Sequence, residues 1–327
     1  MPRRTLRILT WHVHGNYLYY LTQVPHEWYV LSKPNRPPGY AGRTGELPWG
    51  ENVHDMPVDE VAYQEFDCIL YQSQSHYLED RSSILGERHQ HVPRIFLEHD
   101  PPTRHPTDTR HPFQDAHALL VHVTQYNQLM WDNGVTPTRV IEHGVLVPPE
   151  VTWSGELERG IVVVNNMQRR GRRLGADLFR ALRERVPLDL IGMEAEAEGG
   201  FGEVRNVDVP AYIARYRFFF HPCRYTSLGL ALVEAMSIGM PIVGLSTTEL
   251  ATVIRPGHNG FISNDPAELE EAMRELLRDP ARAMLWGEAA RETARLRFGI
   301  ARFVRDWNET LRSVCENGGA TRETLAA

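Results

Sequence analysis

The segment from Arg217 to Ser263 constrains the fold of this chain more than any other stretch, because each of its parts ends at a residue that breaks regular structure. It begins with the apolar run Phe218–Phe220 and continues through a polar loop to the apolar stretch Gly229–Ile238. Gly239 and Pro241 end that stretch, as at the end of a helix, and another short apolar run follows. The pattern predicts a strand, a helix, a second strand and a closing loop.

One charge lies inside the predicted helix. Glu234 has Leu230, Ala231, Ser237 and Ile238 at the neighbouring helical positions, and none of these is a cation. A carboxylate in apolar surroundings costs free energy unless a partner donates hydrogen bonds to it. Ligand hydroxyls are one candidate partner, and a carboxylate that reaches solvent is the alternative.

Short apolar runs alternate with helical or irregular pieces along the rest of the chain. Those of strand length are Leu6–Thr10, Phe66–Tyr71, Pro93–Glu98, Leu119–Val123, Arg139–Ile141, Ile161–Val164 and Leu188–Ile191. Such alternation predicts parallel sheets built from strand–helix–strand units. Two series joined near Pro148-Pro149 predict an α/β fold with two doubly wound, Rossmann-like domains facing a cleft. Residues 33–58 and 100–112, rich in proline or glycine, predict long loops that are either mobile or functional.

Composition excludes several classes of protein. The net charge of −7 argues against a nucleic-acid binder that depends on overall positive charge. Cys68, Cys223 and Cys315 form no CxxC pair, so no disulfide framework or thiolate zinc site is implied. The start of the chain lacks a signal peptide's apolar stretch, and no apolar run reaches 18 residues. We therefore expect a cytoplasmic protein whose membrane association is at most peripheral.

The segment described first resembles the donor-binding core of retaining nucleotide-sugar glycosyltransferases with the GT-B fold, the group 1 or family 4 class. The matching residues are Pro222, Gly229, Leu230, Glu234, Ala235, Met236, Gly239 and Pro241, followed by Val253-Ile254 and Gly257-x-Asn259-Gly260-Phe261. The family also carries a glutamate eight residues before the second one, and this chain has Thr226 there. With Thr226, either the sugar differs, another group substitutes for the glutamate, or transfer has been lost. We favour an altered donor sugar, because a threonine is shorter, neutral, and both donor and acceptor.

The resemblance implies a domain organisation. Residues 1–149 are expected to form the acceptor-side domain, and residues 150–297 the domain that binds the nucleotide sugar. Residues 298–327 are expected to form a helix that returns to the first domain and ends in a frayed tail. The implied activity transfers a sugar from a nucleoside diphosphate to an acceptor with retention of anomeric configuration.

The resemblance also assigns donor-binding residues. Glu234 is expected to bind the ribose hydroxyls, and Thr226 to take the place of a carboxylate that binds the sugar. The backbone amides of Ser227, Leu228 and Gly229, at a helix N-terminus, are expected to hold the diphosphate. A glycine at this point lets the ligand approach the backbone closely.

An arginine cluster follows the Ile161–Val164 run. The family has an arginine and a lysine in this turn, ahead of Gly-x-Asp, and the pair neutralises the leaving diphosphate. We assign that catalytic role to Arg169 and Arg173, because arginine presents a planar fork of donors to phosphate oxygens. Arg170 and Arg172 are further candidates for phosphate contacts, and a solvated basic turn is the alternative.

Three residues of the first domain complete the candidate site. His99 directly follows the third predicted strand, and the resemblance implies that it reaches the donor sugar or the site of attack. His14 and Gly15 follow the first strand, where the family often has a glycine pair close to the diphosphate. Thirteen of the fifteen histidines precede residue 144, so an ordinary structural role is the alternative for each.

No metal or cofactor is expected. His12-x-His14 and His89-x-His91 lack the cysteine or carboxylate pattern of a zinc site, and no Asp-x-Asp clamp occurs. The expected partners are a nucleotide-sugar donor and a glycan, lipid-linked or small-molecule acceptor. Two other functions remain open: a non-catalytic nucleotide- or carbohydrate-binding relative, and a nucleotide-sugar 2-epimerase.

Overall fold

A computed structural model describes the backbone of residues 4–44 and 46–325, with side chains up to residue 316. The chain divides into two compact units. Unit 1 comprises Met1–Gly144 with Ile300–Ala327, and unit 2 comprises Val145–Gly299. The boundaries expected from the sequence lie after residues 149 and 297.

Unit 1 is built on a parallel sheet. Its strands are β1 (Arg7–Thr10), β2 (Glu27–Ser32), β3 (Val53–Pro57), β4 (Cys68–Tyr71), β5 (Arg94–Glu98), β6 (Leu119–His122) and β7 (Thr138–Val140). They lie in the order β3-β2-β1-β4-β5-β6-β7, and all neighbours are parallel. Its first helices are α1 (Gly15–Leu21), α2 (Arg81–Ser83) and α3 (Gln125–Met130), with further helical turns at Val61–Tyr63, His76–Asp80 and Glu87–His89.

Unit 2 has a second parallel sheet. Its strands are β8 (Leu157–Val163), β9 (Leu188–Ile191), β10 (Tyr216–His221), β11 (Ile242–Leu245) and β12 (Gly260–Ser263). Their order is β12-β11-β10-β8-β9. The helices are α4 (Met167–Arg170), α5 (Ala176–Arg183), α6 (Val209–Ile213), α7 (Leu230–Ser237), α8 (Leu250–Val253), α9 (Pro266–Arg278) and α10 (Pro280–Arg297). Short 3₁₀ turns lie at Gly171–Leu174, Ala195–Glu198 and Asn206–Asp208. The predicted α/β class with two parallel sheets is confirmed.

The last helix, α11 (Ile300–Leu325), belongs to unit 1. Phe303, Trp307 and Leu311 are fully buried, at a spacing of four residues that places them on one face. The Trp307 indole donates a hydrogen bond to the Tyr17 hydroxyl at 3.2 Å. The expected frayed tail, residues 318–327, falls on a stretch whose side chains, and whose last two residues, lie outside the described part of the chain.

The sequence pattern did not predict three of the strands, β2, β3 and β12. β3 lies within residues 33–58, which were wrongly expected to form one long loop, and β12 replaces the closing loop expected after β11. β3 is an edge strand, so its polar residues His54 and Asp55 interrupt the apolar run without weakening its backbone pairing to β2. With β2 and β3 present, His99 follows the fifth strand along the chain, whereas the sequence placed it after the third.

Candidate functional site

The strand order of unit 2 reverses between β8 and β10. From β8 the chain first adds β9 on one side, and then β10, β11 and β12 on the other. Because β8 and β10 are parallel neighbours, the loops that follow them, residues 164–175 and 222–229, leave the sheet at the same edge. Open α/β sheets bind ligands at such a switch point. The arginine cluster and the Thr226–Gly229 loop therefore lie side by side.

Hydrogen bonds join these two loops. The backbone amides of Arg224 and Tyr225 donate to the carbonyl oxygen of Arg173, at 2.9 and 3.2 Å. Gly175 has a φ of +83°, and a Cβ at this position would overlap the carbonyl oxygen of Pro222. Only glycine therefore allows the first loop to approach the second this closely.

The four arginines of the cluster differ in their surroundings. Arg172 is exposed and forms an ion pair with Asp177 at 2.5 Å. Arg169 is exposed, and its guanidinium has no ion pair among the described residues. Arg173 is half-buried, and its buried Nε has no hydrogen-bond partner within the part of the chain that is described. Arg173 is also partly exposed and forms no ion pair among the described residues, so its charge is available to an anionic ligand.

The pKa of the Cys223 thiol reflects the positive charge at this edge of the sheet. Burial raises the pKa of its thiol to about 12, while Arg170 and Arg173 act in the opposite direction. The positive potential of both arginines thus reaches the start of the loop that follows β10. An anion bound between the two loops would experience the same potential.

Helix α7 carries the buried carboxylate. Glu234 is only 1% exposed, so the alternative of a carboxylate that reaches solvent does not hold in this structure. In the loop before the helix, Ser227 and Leu228 are buried and Thr226 is half-buried. Gly229 is the residue before the first helical turn.

The space beside Gly229 is open. Its φ of −69° and ψ of 137° are accessible to any residue. The nearest heavy atom to a Cβ at this position would be Cε1 of His221, at 3.9 Å. Neither backbone conformation nor packing within the described residues requires glycine here. The open space leaves room for a ligand at the helix N-terminus.

The strand order of unit 1 also reverses, between β1 and β4. Gln72, the first residue after β4, connects the two strand ends. Its Nε2 donates to Thr10 Oγ1 and to the Trp11 carbonyl oxygen, both at 3.1 Å. Since a carbonyl only accepts, the amide orientation is fixed, and Oε1 of Gln72 faces Nε2 of His99 at 3.0 Å.

This arrangement determines the protonation of His99. Oε1 of Gln72 accepts only, so Nε2 of His99 carries the proton and Nδ1 is left as an acceptor. Burial, with smaller effects from His14 and His143, holds the pKa of His99 well below its usual value. His99 is therefore a neutral imidazole of defined tautomer.

His14 and Gly15 lie close to His99. The rings of His14 and His99 are 4.4 Å apart between centroids, and Tyr17 packs edge-on against His99 at 4.7 Å. His14 adopts a left-handed φ of 50° just before α1, and Gly15 begins that helix. The structure thus groups the predicted residues of unit 1 at one switch point and those of unit 2 at the other.

Two polar residues at these points were not identified from the sequence. Gln72 and His221 each stand at the carboxyl end of a buried strand next to a switch point. That position is a usable signal, because ligands bind at this edge of an open sheet. The missing information was the strand order, which decides which strand ends meet.

The described residues contain no group of three or more His, Cys, Asp or Glu side chains placed to hold a metal ion. Within residues 4–44 and 46–325, no helix combines the length and apolar character needed to cross a membrane.

Sequence comparison places a family match on unit 2. Residues 159–279 match the family described as glycosyl transferases group 1. A D-inositol 3-phosphate glycosyltransferase of Catenulispora acidiphila is 40% identical over 63 residues, 19% of this chain and 15% of that protein. An O-antigen chain mannosyltransferase B of Escherichia coli is 34% identical over 76 residues, 23% of this chain and 19% of that protein. The matches thus span less than a fifth of either relative.

Structural comparison extends over both units. A sucrose-phosphate synthase from Thermosynechococcus elongatus has a TM-score of 0.70 and 14% identity, covering 95% of this chain and 99% of its own. HepE of Anabaena, in complex with UDP and glucose, has a TM-score of 0.67 and 15% identity, covering 94% and 100%. These likenesses confirm the predicted fold, two Rossmann-like domains of the GT-B type.

Proposed function

We propose that this protein is a glycosyltransferase that moves a sugar from a nucleoside diphosphate to an acceptor with retention of anomeric configuration. One observation carries the proposal. The matched family segment, residues 159–279, contains the whole β8/β10 switch point, including the arginine cluster, the 222–229 loop and Glu234. The residues that the structure groups in unit 2 are thus those that the family match covers.

In this proposal, unit 2 binds the donor. The N-terminus of α7 and the arginines after β8 hold the diphosphate, and Glu234 accepts hydrogen bonds from the ribose hydroxyls. Arg173 suits the first task, because it is partly exposed and its guanidinium forms no ion pair among the described residues. The short distance between the two loops, maintained by Gly175, places both sets of donors at one edge of the sheet.

The reaction breaks the bond between the anomeric carbon and a diphosphate oxygen. The acceptor oxygen forms the new bond on the same face of the sugar, and its proton passes to the leaving phosphate. Arg169 and Arg173 stabilise the charge that develops on the diphosphate, as preorganised donors do in other enzymes. We propose that no metal is needed, because the arginines and the helix N-terminus supply the positive potential.

Unit 1 is assigned to the acceptor side. His99 presents the lone pair of Nδ1 while its Nε2 is held by Gln72. A neutral imidazole with an accepting nitrogen suits a sugar hydroxyl better than a phosphate. We propose that this hydroxyl belongs to the sugar at the reacting centre.

Thr226 favours a donor sugar that differs from those bound by a carboxylate at this position. Thr226 is half-buried in the loop after β10, and its hydroxyl can both donate and accept. A site that pairs with a particular hydroxyl discriminates strongly against sugars that lack it. The same residue supports the second candidate function, a non-catalytic relative that binds nucleotide sugars without transfer.

The test is calorimetry of the full-length chain with UDP-, GDP- and ADP-sugars. HepE, which shares the fold, was crystallised with UDP and glucose, so UDP-glucose is the first ligand to try. Glu234→Ala is expected to weaken binding about tenfold or more, because it removes a charged acceptor. Glu288→Ala, an exposed glutamate on α10, is the matched control. An equal dissociation constant in wild type and Glu234→Ala contradicts the ribose assignment.

Product analysis separates the candidate functions. NMR of the anomeric proton during transfer to an acceptor distinguishes retention from inversion, and activity in chelator tests metal independence. Binding without turnover on a panel of glycan, lipid-linked and small-molecule acceptors supports the non-catalytic relative. Conversion of a nucleotide sugar to its 2-epimer without an acceptor identifies an epimerase and overturns the proposal.

A further inference from the structure

His221, the last residue of β10, is a buried imidazole that has no hydrogen-bond partner among the described residues. It is 6% exposed, and no hydrogen bond joins its ring to another residue of the described chain. Both ring nitrogens keep some exposed surface, so a group from outside the chain can reach them. Because a buried polar group is rarely left without a hydrogen bond, this ring is suited to a partner that comes from outside the chain.

The imidazole lies at the N-terminus of α7. Its Cε1 is the nearest heavy atom to the open space beside Gly229, which precedes the first turn of that helix. The first amides of a helix have no acceptor within the helix, and the helix dipole makes this end positive. The ring and the helix end thus face the same space.

Burial keeps the imidazole uncharged. It lowers the pKa of His221 to about 4, so near neutral pH the ring carries one N–H donor and one acceptor nitrogen. Arg173 lies in the adjacent loop, and its carbonyl oxygen accepts from the amides of Arg224 and Tyr225, which follow β10. The space is therefore bordered by a neutral donor and a helix N-terminus, and the cationic residue Arg173 lies in the adjacent loop.

We infer that His221 donates its N–H to a phosphate oxygen of a nucleoside diphosphate bound at the N-terminus of α7. The inference rests on the proposed function, because it places one further donor in the same nucleotide site. A phosphate fits better than a sugar hydroxyl, since the helix end and Arg173 both favour an anion. A neutral ring adds a hydrogen bond there without adding another fixed charge.

The test compares ligands with and without phosphate on the full-length chain. Calorimetry measures the affinities of UDP, GDP, ADP, inorganic pyrophosphate and the three nucleosides for wild type and His221→Phe. The Phe ring preserves volume but has no polar atom. His221→Phe is expected to lower the affinity for the diphosphates and pyrophosphate about tenfold, because it removes a hydrogen bond to a charged group. Its affinity for the nucleosides is expected to be unchanged.

Two further variants serve as controls. His221→Asn keeps a short N–H donor and is expected to restore part of the affinity for pyrophosphate. His258→Phe removes an exposed histidine of the same unit and is expected to change nothing. If His221→Phe does not fold, the ¹⁵N imidazole signals of wild-type His221 still answer the question, because pyrophosphate is expected to shift them.

The outcomes separate the inference from the proposed function. If wild type binds none of the three diphosphates, the proposed function fails whatever the role of His221. If wild type binds them and His221→Phe binds them equally well, the inference is overturned and the proposed function stands. An equal loss for nucleosides and diphosphates also overturns it, because the ring then acts on the nucleoside or on the structure alone.

Discussion

The two switch points of this molecule occupy the same place in two parallel sheets, but they are built from different chemical groups. In unit 1, between β1 and β4, the amide of Gln72 connects the strand ends and orients the neutral His99. In unit 2, between β8 and β10, the arginines after β8 lie beside the loop that leads to the N-terminus of α7. One edge offers neutral donors and acceptors, and the other offers positive potential.

The difference indicates which ligand group each edge suits. An imidazole of fixed tautomer, with Nδ1 left as an acceptor, matches a hydroxyl, which can donate a hydrogen bond to it. Arginines and a helix N-terminus match an anion. We therefore expect variants at the two switch points to differ in which measured quantity they change.

The largest expected effect concerns acid stability. Burial lowers the pKa of three imidazoles in unit 1, His26, His76 and His122, to about 4. In unit 2 it lowers the pKa of His221 to about 4. The unfolded pKa is about 6.5, so the stabilisation is complete above pH 6.5 and is lost as the pH falls through 4. At pH 4, each imidazole has lowered the free energy of unfolding by about 3 kcal/mol. Unit 1 is expected to open first.

Hydrogen exchange of the full-length chain between pH 7 and pH 4 measures this, after correction for intrinsic exchange rates. Amides near His26 are informative, since its Nδ1 accepts from the Leu6 amide at 3.4 Å and cannot do so when protonated. Loss of protection in unit 2 at a higher pH than in unit 1 would contradict the comparison.

The next effect concerns turnover at the cationic edge. Arg173→Ala is expected to lower kcat by about 10²–10³-fold, because it removes a preorganised donor to the leaving diphosphate. Arg173→Lys keeps the charge without the planar fork, and its kcat is expected to lie between those of wild type and Arg173→Ala. The control is Arg185→Ala, which removes a surface ion pair with Glu270. Unchanged steady-state kinetics for Arg173→Ala would remove the catalytic assignment.

A smaller effect is expected at the neutral edge. Gln72→Met keeps the length of the side chain but removes the acceptor that holds Nε2 of His99. We expect about a tenfold loss of kcat, of the order of one hydrogen bond, with nucleoside diphosphate affinity unchanged. ¹⁵N NMR of His99 is expected to show a mixed tautomer. Gln114→Met changes a half-buried glutamine in the loop before β6 and is the control. A shift in the diphosphate affinity of Gln72→Met would contradict the division between the two edges.

The smallest effect compares the glycines that begin the helix after each edge. A Cβ at Gly229 meets no atom closer than 3.9 Å, whereas a Cβ at Gly15 would lie 3.2 Å from Nε2 of His12. Thermal unfolding is expected to show a cost of a few tenths of a kcal/mol for Gly229→Ala. Gly15→Ala is expected to cost about 1 kcal/mol, because Nδ1 of His12 is held by the Gly42 carbonyl at 2.6 Å. The opposite order would show that the space beside Gly229 is not open.

Much of unit 2 could be predicted because its signals are local. The apolar run before Pro222, the helix stop at Gly239 and the single acidic residue in an apolar stretch, Glu234, are each visible within a few residues. The burial of Glu234 follows from the apolar character of the whole of α7. Such features need no knowledge of distant contacts.

The rest depended on contacts between distant residues. The tautomer of His99 follows from Gln72, 27 residues earlier, and Gln72 is oriented by Trp11, a further 61 residues away. The role of Gly175 follows from Pro222, which a sequence pattern does not connect to it. The edge strand β3 was not predicted, because only one of its sides is paired and its sequence does not need to be apolar.

Helix α11 has a consequence for the order in which the protein is made. Unit 2 is continuous in sequence, whereas unit 1 takes its last helix from the end of the chain. Until Phe303 and Trp307 leave the ribosome, the core of unit 1 lacks two of its fully buried aromatic side chains. The half of the molecule that is synthesised first is therefore expected to be the last to complete its folding.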